Sequence, residues 1–340
     1  MSRTLNLTIC AFALCLMAPA DSHARQPAAQ TDFPQLASSI HAALLAHHYD
    51  PDELESPAYE AVEQAVVELA ATATTDEEFL SGFRAIWRTG PFSHVTLQRS
   101  DQTAAELGAY FDSLRIGGGG AVLSWRDDIA VLTVNTMMGQ DTIEEIDAAF
   151  TEISRRETSA LIVDLRTNGG GAFALRPLVS HIIDTPLDAG IFISQRWNAT
   201  MDHAPGHEDI AGVASWEGWS VLSFWADVQA QLVTRISFMP VEPTYEGPVY
   251  VLTSADTASA AELAADALKA SGRAVLIGEI TAGEMLSQTL YDLPDGYLLA
   301  LPIADYYSVT NGRIEGHGVS PHVATDAESA METALRLARD

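Results

Sequence analysis

Ser259 lies in the stretch TSADTASAAELAADAL (253–268), between two alanines. The stretch reads as a strand end, a sharp turn and a helix, with the serine where the helix should begin. A hydroxyl there is exposed beside the free N–H groups of a first helical turn. That suits a nucleophile for acyl transfer, and it equally suits a plain N-cap. A serine nucleophile needs a base to take its proton. A second stretch, DLRTNGGG (164–171), places glycines after a hydrophobic strand. Gly170 and Gly171 could turn their amides towards a ligand as half of an oxyanion hole, with the Ala260 amide as the other half. A tight turn with no ligand is the competing reading. No G-K-[ST] follows, so it is no phosphate loop. A third stretch, FSHV (92–95), carries His94. A histidine titrates near neutrality and suits a general base, although a lone histidine is more often structural than catalytic.

The elements that must position these residues follow from periodicity. From Asp32 to Trp87 apolar residues recur at helical spacing, which predicts a small helical domain over 25–96. Thr75 with Glu78 three residues on is a helix-start signal. Four glycines at 117–120 mark a flexible joint or tight turn. Beyond them DDIAVLTVNTM, DTIEEIDAAFTEISRRE, ALIVDLRTNGGG, GPVYVLTSADTASAAELAADALKASG and AVLIGEITAG alternate strand and helix. That alternation predicts an α/β core of mostly parallel strands over 97–340. Residues 172–246 interrupt it and carry Trp197, Trp216, Trp219 and Trp225. This insertion is either a substrate-facing lid or a second small core.

The formal net charge is −28 over 340 residues, which opposes binding to nucleic acid or to an anionic membrane. Residues 1–24 read as a signal peptide: Arg3, a short apolar run, and a small-x-small site before Arg25. The alternative is an uncleaved anchor. A cleaved leader implies a periplasmic or secreted protein without a later membrane span. Both cysteines, Cys10 and Cys15, fall inside the leader, so the mature chain would have no disulfide or thiolate chemistry.

Taken in order, VDLRTNGGG, TASAAE, GRAVLIGEITAG and GRIEGHGVSPH resemble the S41 serine peptidases, the tail-specific or C-terminal processing family, over about residues 32–325. The resemblance implies a ClpP/crotonase-like α/β core and makes Ser259 the nucleophile. One branch of that family uses a Ser–Lys dyad, but the expected lysine position holds Glu284. The sole lysine, Lys269, lies ten residues after Ser259, about 15 Å along a helix. The other branch, similar to the tricorn core protease and the nisin-resistance protease, uses a histidine from the segment before the core. Ser93-His94 matches its serine–histidine pair, which implies His94 as base. Glu315, in RIEGHG, matches the tricorn-like glutamate and is the first expected orienting acceptor. Glu262, in TASAAE, is the second. Ser93 would complete a relay or be a turn residue, and His317 is the reserve base. The resemblance departs in two places. His322 replaces the usual aspartate of GVxPD, and residues 97–120 are too few for a PDZ domain.

The expected function is a serine endopeptidase acting on peptides or unfolded protein through an acyl-enzyme, with no metal or cofactor. Two alternatives stay open: a non-catalytic protein holding an apolar ligand, as retinoid-binding repeats on this core do, and a hydrolase of small esters or peptides.

Overall fold

The computed structural model describes residues 31–339, so the expected leader with Cys10 and Cys15 lies outside the described residues. Three helices come first: α1 (Phe33–His47), α2 (Pro57–Thr72) and α3 (Asp76–Trp87). Each begins on a capping side chain. Asp32 accepts the Gln35 amide at 3.0 Å, Ser56 that of Tyr59 at 3.2 Å, and Thr75 that of Glu78 at 3.2 Å. The Glu78 carboxylate bonds one residue earlier than a capping box requires, taking the amide and hydroxyl of Thr74 at 2.9 and 2.8 Å. Phe33, Leu36, Ile40 and Leu44 on α1, and Phe79, Phe83 and Trp87 on α3, are all buried. Phe33 stacks on Phe79 with centroids 5.0 Å apart.

The next elements are β1 (Thr96–Arg99), α4 (Ala104–Ser113), β2 (Ala121–Arg126), β3 (Ile129–Val134), α5 (Gln140–Ser154), β4 (Ala160–Asp164), α6 (Leu175–Ser180) and β5 (Leu187–Ser194). Then come α7 (Gln195–Asn198), α8 (His207–Ile210), α9 (Val221–Ala230), β6 (Val233–Phe238), β7 (Val249–Thr253), α10 (Ala260–Ala270) and β8 (Ala274–Gly278). β9 (Ser287–Leu293), β10 (Tyr297–Ser308), β11 (Gly312–Arg313), β12 (Val323–Ala324) and α11 (Ala327–Leu337) complete the chain.

The first sheet runs β12-β8-β7-β4-β3-β2. Every neighbouring pair is parallel except the β2–β3 hairpin. β4 is buried at every position, as a parallel strand covered on both faces must be. Leu161 and Val163 pack in the cluster with α5 and α10, while Ala160 and Ile162 pack with Ala330 and Ala334 of α11. Burying each large aliphatic side chain stabilises the fold by about 1.5–3 kcal/mol. The second sheet is antiparallel, ordered β1-β10-β5-β6, with β9 and β11 also paired to β10. The helical segment docks on this sheet. Tyr49 donates its amide to Pro302 O at 3.2 Å, and Tyr297 donates its hydroxyl to Asp76 at 2.7 Å.

The four glycines form a tethered turn rather than a loose joint. Asp141 accepts the amides of Ile116, Gly117 and Gly118 at 2.8–3.0 Å, and Glu145 accepts those of Gly119 and Ala121. Residues 172–246 contribute β5 and β6 to the second sheet, so part of this segment is structural. Its tryptophans divide. Trp197 is buried in a satellite cluster with Ile191, Ile193, Ile210 and Val233. Trp216 and Trp225 line a cavity, and Trp219 is 54% exposed. No helix among the described residues is long and apolar enough to cross a membrane.

Candidate active site

The turns at the carboxyl ends of β4 and β7 lie side by side, the place where open α/β sheets offer ligands a crevice. Ser259 joins β7 to α10 with φ 55° and ψ −124°. A side-chain-bearing residue held there costs on the order of 1–3 kcal/mol, so its surroundings must impose it. They do so through a lattice of hydrogen bonds. Thr257 donates its hydroxyl to Leu165 O at 2.8 Å, Ser254 donates to Arg166 O, and Ala258 donates its amide to Asn168 O at 3.0 Å. Glu262 accepts the Ser259 amide at 3.0 Å. The Glu262 amide donates to the Ser259 carbonyl at 2.8 Å, and among the described residues no first-turn amide of α10 bonds the Ser259 hydroxyl, so a side-chain N-cap role does not account for it.

Glu262 is fully buried. It also accepts the Thr281 hydroxyl at 2.6 Å and the amides of Gly283 and Glu284 at 2.7 and 2.9 Å. Burial raises its carboxyl pKa, and these bonds oppose the rise. Among the described residues it makes no hydrogen bond to His94. It organises the floor beneath Ser259.

The expected oxyanion donors separate. The Gly170 amide donates to Asn168 Oδ1 at 2.9 Å, so it is not free for a ligand; this corrects the expectation for that amide. Asn168 is fully buried and also donates to Val134 O at 2.9 Å. An Asn two residues before a glycine run is a recognisable side-chain-to-backbone turn, and that is the signal the sequence reading passed over. Gly170 serves through its missing side chain: at φ 94°, a Cβ would stand 2.7 Å from the Ser259 Cβ. The amides of Gly171 and Ala260 have no hydrogen-bond acceptor among the described residues, and both residues line the cavity beside Ser259.

His94 leaves the helical segment where Gly90-Pro91 ends the helical run. Phe92 anchors the loop, with its ring 5.2 Å from Trp87 and 4.1 Å from His48. β1, paired to β10 from Thr96, holds the other side. His94 itself has φ 64°. Its Nδ1 is 2.6 Å from the Ser93 hydroxyl, and Ser93 donates to Glu315 Oε1 at 2.7 Å. Glu315 Oε2 accepts the amides of Met285 and Leu286 at 2.6 and 3.2 Å. Ser93 thus stands between Glu315 and His94. Burial pushes the His94 imidazole below its ordinary value of 6.5, with the Glu315 charge pulling the other way.

His94 and Ser259 line one cavity of about 280 Å³, with Glu284 and an apolar wall that includes Phe173, Trp216, Phe224 and Trp225. No hydrogen bond joins His94 to Ser259 among the described residues; catalytic contacts of this kind often tighten only on substrate. Burial and the charges of Glu315 and Glu262 push Glu284 up to about 7. Lys269 donates its ammonium to Ser320 O at 2.8 Å from the last turn of α10. His317 is exposed and bonds Glu315 O through Nδ1 at 2.9 Å, and His322 takes the Leu276 amide at 3.0 Å.

Comparison with known proteins gives one family and one fold. The family model for peptidase family S41 matches residues 128–325. A chloroplastic C-terminal processing peptidase of Tetradesmus obliquus is 31% identical over 188 residues, 55% of this chain and 33% of that protein. The chain thus spans about a third of the length of that relative. A candidate peptidase from Parabacteroides merdae superposes with TM-score 0.63 at 16% identity, covering 91% of this chain and 98% of the other. The photosystem II D1 C-terminal processing protease superposes with TM-score 0.54 at 18% identity, with the same 91% and 98% coverage. The core is of the ClpP/crotonase-like α/β type.

Proposed function

The chain belongs to peptidase family S41, and from that membership we propose that it is a serine peptidase whose nucleophile is Ser259 and whose general base is His94. The observation that carries this reading is the direction of one hydrogen-bond chain. Ser93 has a single hydroxyl proton and gives it to the Glu315 carboxylate. Its oxygen then accepts from His94 Nδ1, which places the ring proton on Nδ1 and leaves Nε2 a lone pair. That is the tautomer a base needs.

Ser259 Oγ attacks a peptide carbonyl while His94 Nε2 takes its proton. The Gly171 and Ala260 amides hold the oxyanion. The C–N bond breaks, and His94 returns the proton to the leaving amine. Water then attacks the acyl-enzyme, giving its proton to Nε2, and Ser259 regains a hydrogen as the acid leaves. Every step uses side chains and amides of this chain. The substrate is a peptide or an unfolded segment, entering along the apolar wall, for which residues 172–246 act partly as a lid. The leader-like residues 1–24 support action in the periplasm or outside the cell.

The apolar wall would also suit a bound apolar ligand, but a strained serine and a lone pair on His94 serve no purpose there. The test is cleavage of a peptide library, read by mass spectrometry, alongside a fluorophosphonate probe. Covalent capture at Ser259 with peptide turnover supports the reading. Tight binding of apolar ligands with neither capture nor turnover overturns it.

A further inference from the structure

The cavity that holds Ser259 also holds a cation with no carboxylate in ion-pairing distance among the described residues. Arg176, in the first turn of α6 and five residues after Gly171, lines the same cavity. Its guanidinium sits among three rings, 4.9 Å from the Trp219 centroid, 5.0 Å from Trp216 and 5.9 Å from Phe173. Those rings are themselves fixed. Phe173 stacks on Trp216 at 6.0 Å, and Trp216 donates its indole N–H to Asp227 at 2.9 Å. Of five N–H donors a guanidinium offers, the one hydrogen bond Arg176 makes among the described residues is from Nη2 to Trp216 O at 3.0 Å. No carboxylate among the described residues lies within ion-pairing distance; Glu217, on an exposed stretch, acts on it only from further off.

We propose that Arg176 is a carboxylate-binding, specificity-determining residue of the substrate cavity. This rests on the peptidase reading above. The three rings and the bond to Trp216 O hold the guanidinium in place, and its remaining N–H donors can bind a carboxylate with two parallel hydrogen bonds. The aromatic surroundings shield the half-buried guanidinium in part from water, so the same pair is worth more there than on the open surface. The chain's net charge of −28 repels anionic ligands in general, so accepting one carboxylate requires a local cation of this kind. Two sources share that chemistry: the terminal carboxylate of a peptide and an acidic side chain within it.

The test measures binding to the Ser259→Ala chain by calorimetry, so that turnover plays no part. The probes are an acetylated hexapeptide of alternating alanine and leucine as free acid and as carboxamide, and a second carboxamide pair with one internal glutamate or glutamine. At least one pair should show about tenfold or greater preference for the carboxylate member; which pair does so identifies the source. In Arg176→Met, which keeps packing against the rings, the preference should collapse to about one. Arg176→Lys, which keeps the charge but not the fork, should fall between. Preferences below about twofold in both pairs for the otherwise unaltered Ser259→Ala chain would overturn the proposal. So would a preference that survives Arg176→Met. If Arg176→Met fails to fold, the Arg176→Lys ratio decides, because a ratio equal to the parent's excludes the fork. Wild-type turnover of the carboxamide peptides reports on the peptidase reading separately: hydrolysis with no carboxylate preference sinks only the Arg176 inference.

Discussion

The proposed nucleophile, Ser259, and the proposed base, His94, are held in different ways. Around Ser259 the work is done by backbone. Two adjacent turns carry the special φ angles, and side chains such as Thr257, Asn168 and Glu262 serve to lock them. Around His94 the work is done by side chains brought together across the chain, since Ser93 and Glu315 are 222 residues apart. The halves meet at one short segment. Glu262, under Ser259, takes the amides of Gly283 and Glu284, and Glu315, behind Ser93, takes those of Met285 and Leu286. Two carboxylates grip consecutive amides of one stretch from opposite ends. Ser259 therefore depends on local strain, while His94, itself at φ 64°, depends also on docking of the helical segment against the second sheet.

That contrast can be broken by mutation. The largest effect is expected at the two residues proposed to exchange the proton. Ser259→Ala and His94→Ala should each lower kcat/KM by on the order of 10³-fold or more, and the double variant should be little worse than either. Steady-state rates that multiply instead would show that the halves act independently. Next come the residues behind His94. Ser93→Ala or Glu315→Gln should lower kcat by about 10- to 100-fold with KM unchanged, because they position the ring and transfer no proton to substrate. A loss as deep as that of His94→Ala would make Ser93 or Glu315 a proton-transfer partner.

On the nucleophile side, Gly170→Ala puts a Cβ 2.7 Å from that of Ser259 at φ 94°. It should cost about 1–3 kcal/mol in denaturant melts and weaken probe capture at Ser259. An unchanged midpoint would show that the turn has slack the hydrogen bonds do not suggest. The smallest effect is expected at Lys269→Ala. Its ammonium is held by Ser320 O, so turnover should stay within about twofold, well short of the tenfold that ~1.4 kcal/mol of barrier represents.

The same contrast explains what could be read from the sequence. The α/β core was legible because buried parallel strands such as ALIVD are written as continuous apolar runs. Ser259 and the glycine turn were legible because a backbone device needs its residues contiguous. The proposed base was not legible from the residues alone. Nothing local distinguishes His94 from His317 or His322, and only the resemblance to a histidine-using branch pointed to it. Two details escaped for physical reasons. The Gly170 amide looked available until the Asn168 side chain, folded back onto it, claimed the proton. Residues 172–246 read as an insertion because the antiparallel pairing of β5 with distant β10, and of β6 with β5, leaves no local trace.

The central claim, that His94 is the base for Ser259, is tested most directly by the rate of Ser259 phosphonylation by a fluorophosphonate as a function of pH. The Glu284→Gln background removes the neighbouring carboxyl that titrates at about 7. A base must be unprotonated to work, and burial holds the His94 pKa below 6.5. The rate should therefore stay level at neutral pH and fall only as pH drops through a value under 6.5. In His94→Ala the rate should be lower by about 100-fold or more, and this acid limb should vanish. A His94→Ala chain that labels near the parent rate with the same limb would contradict the account.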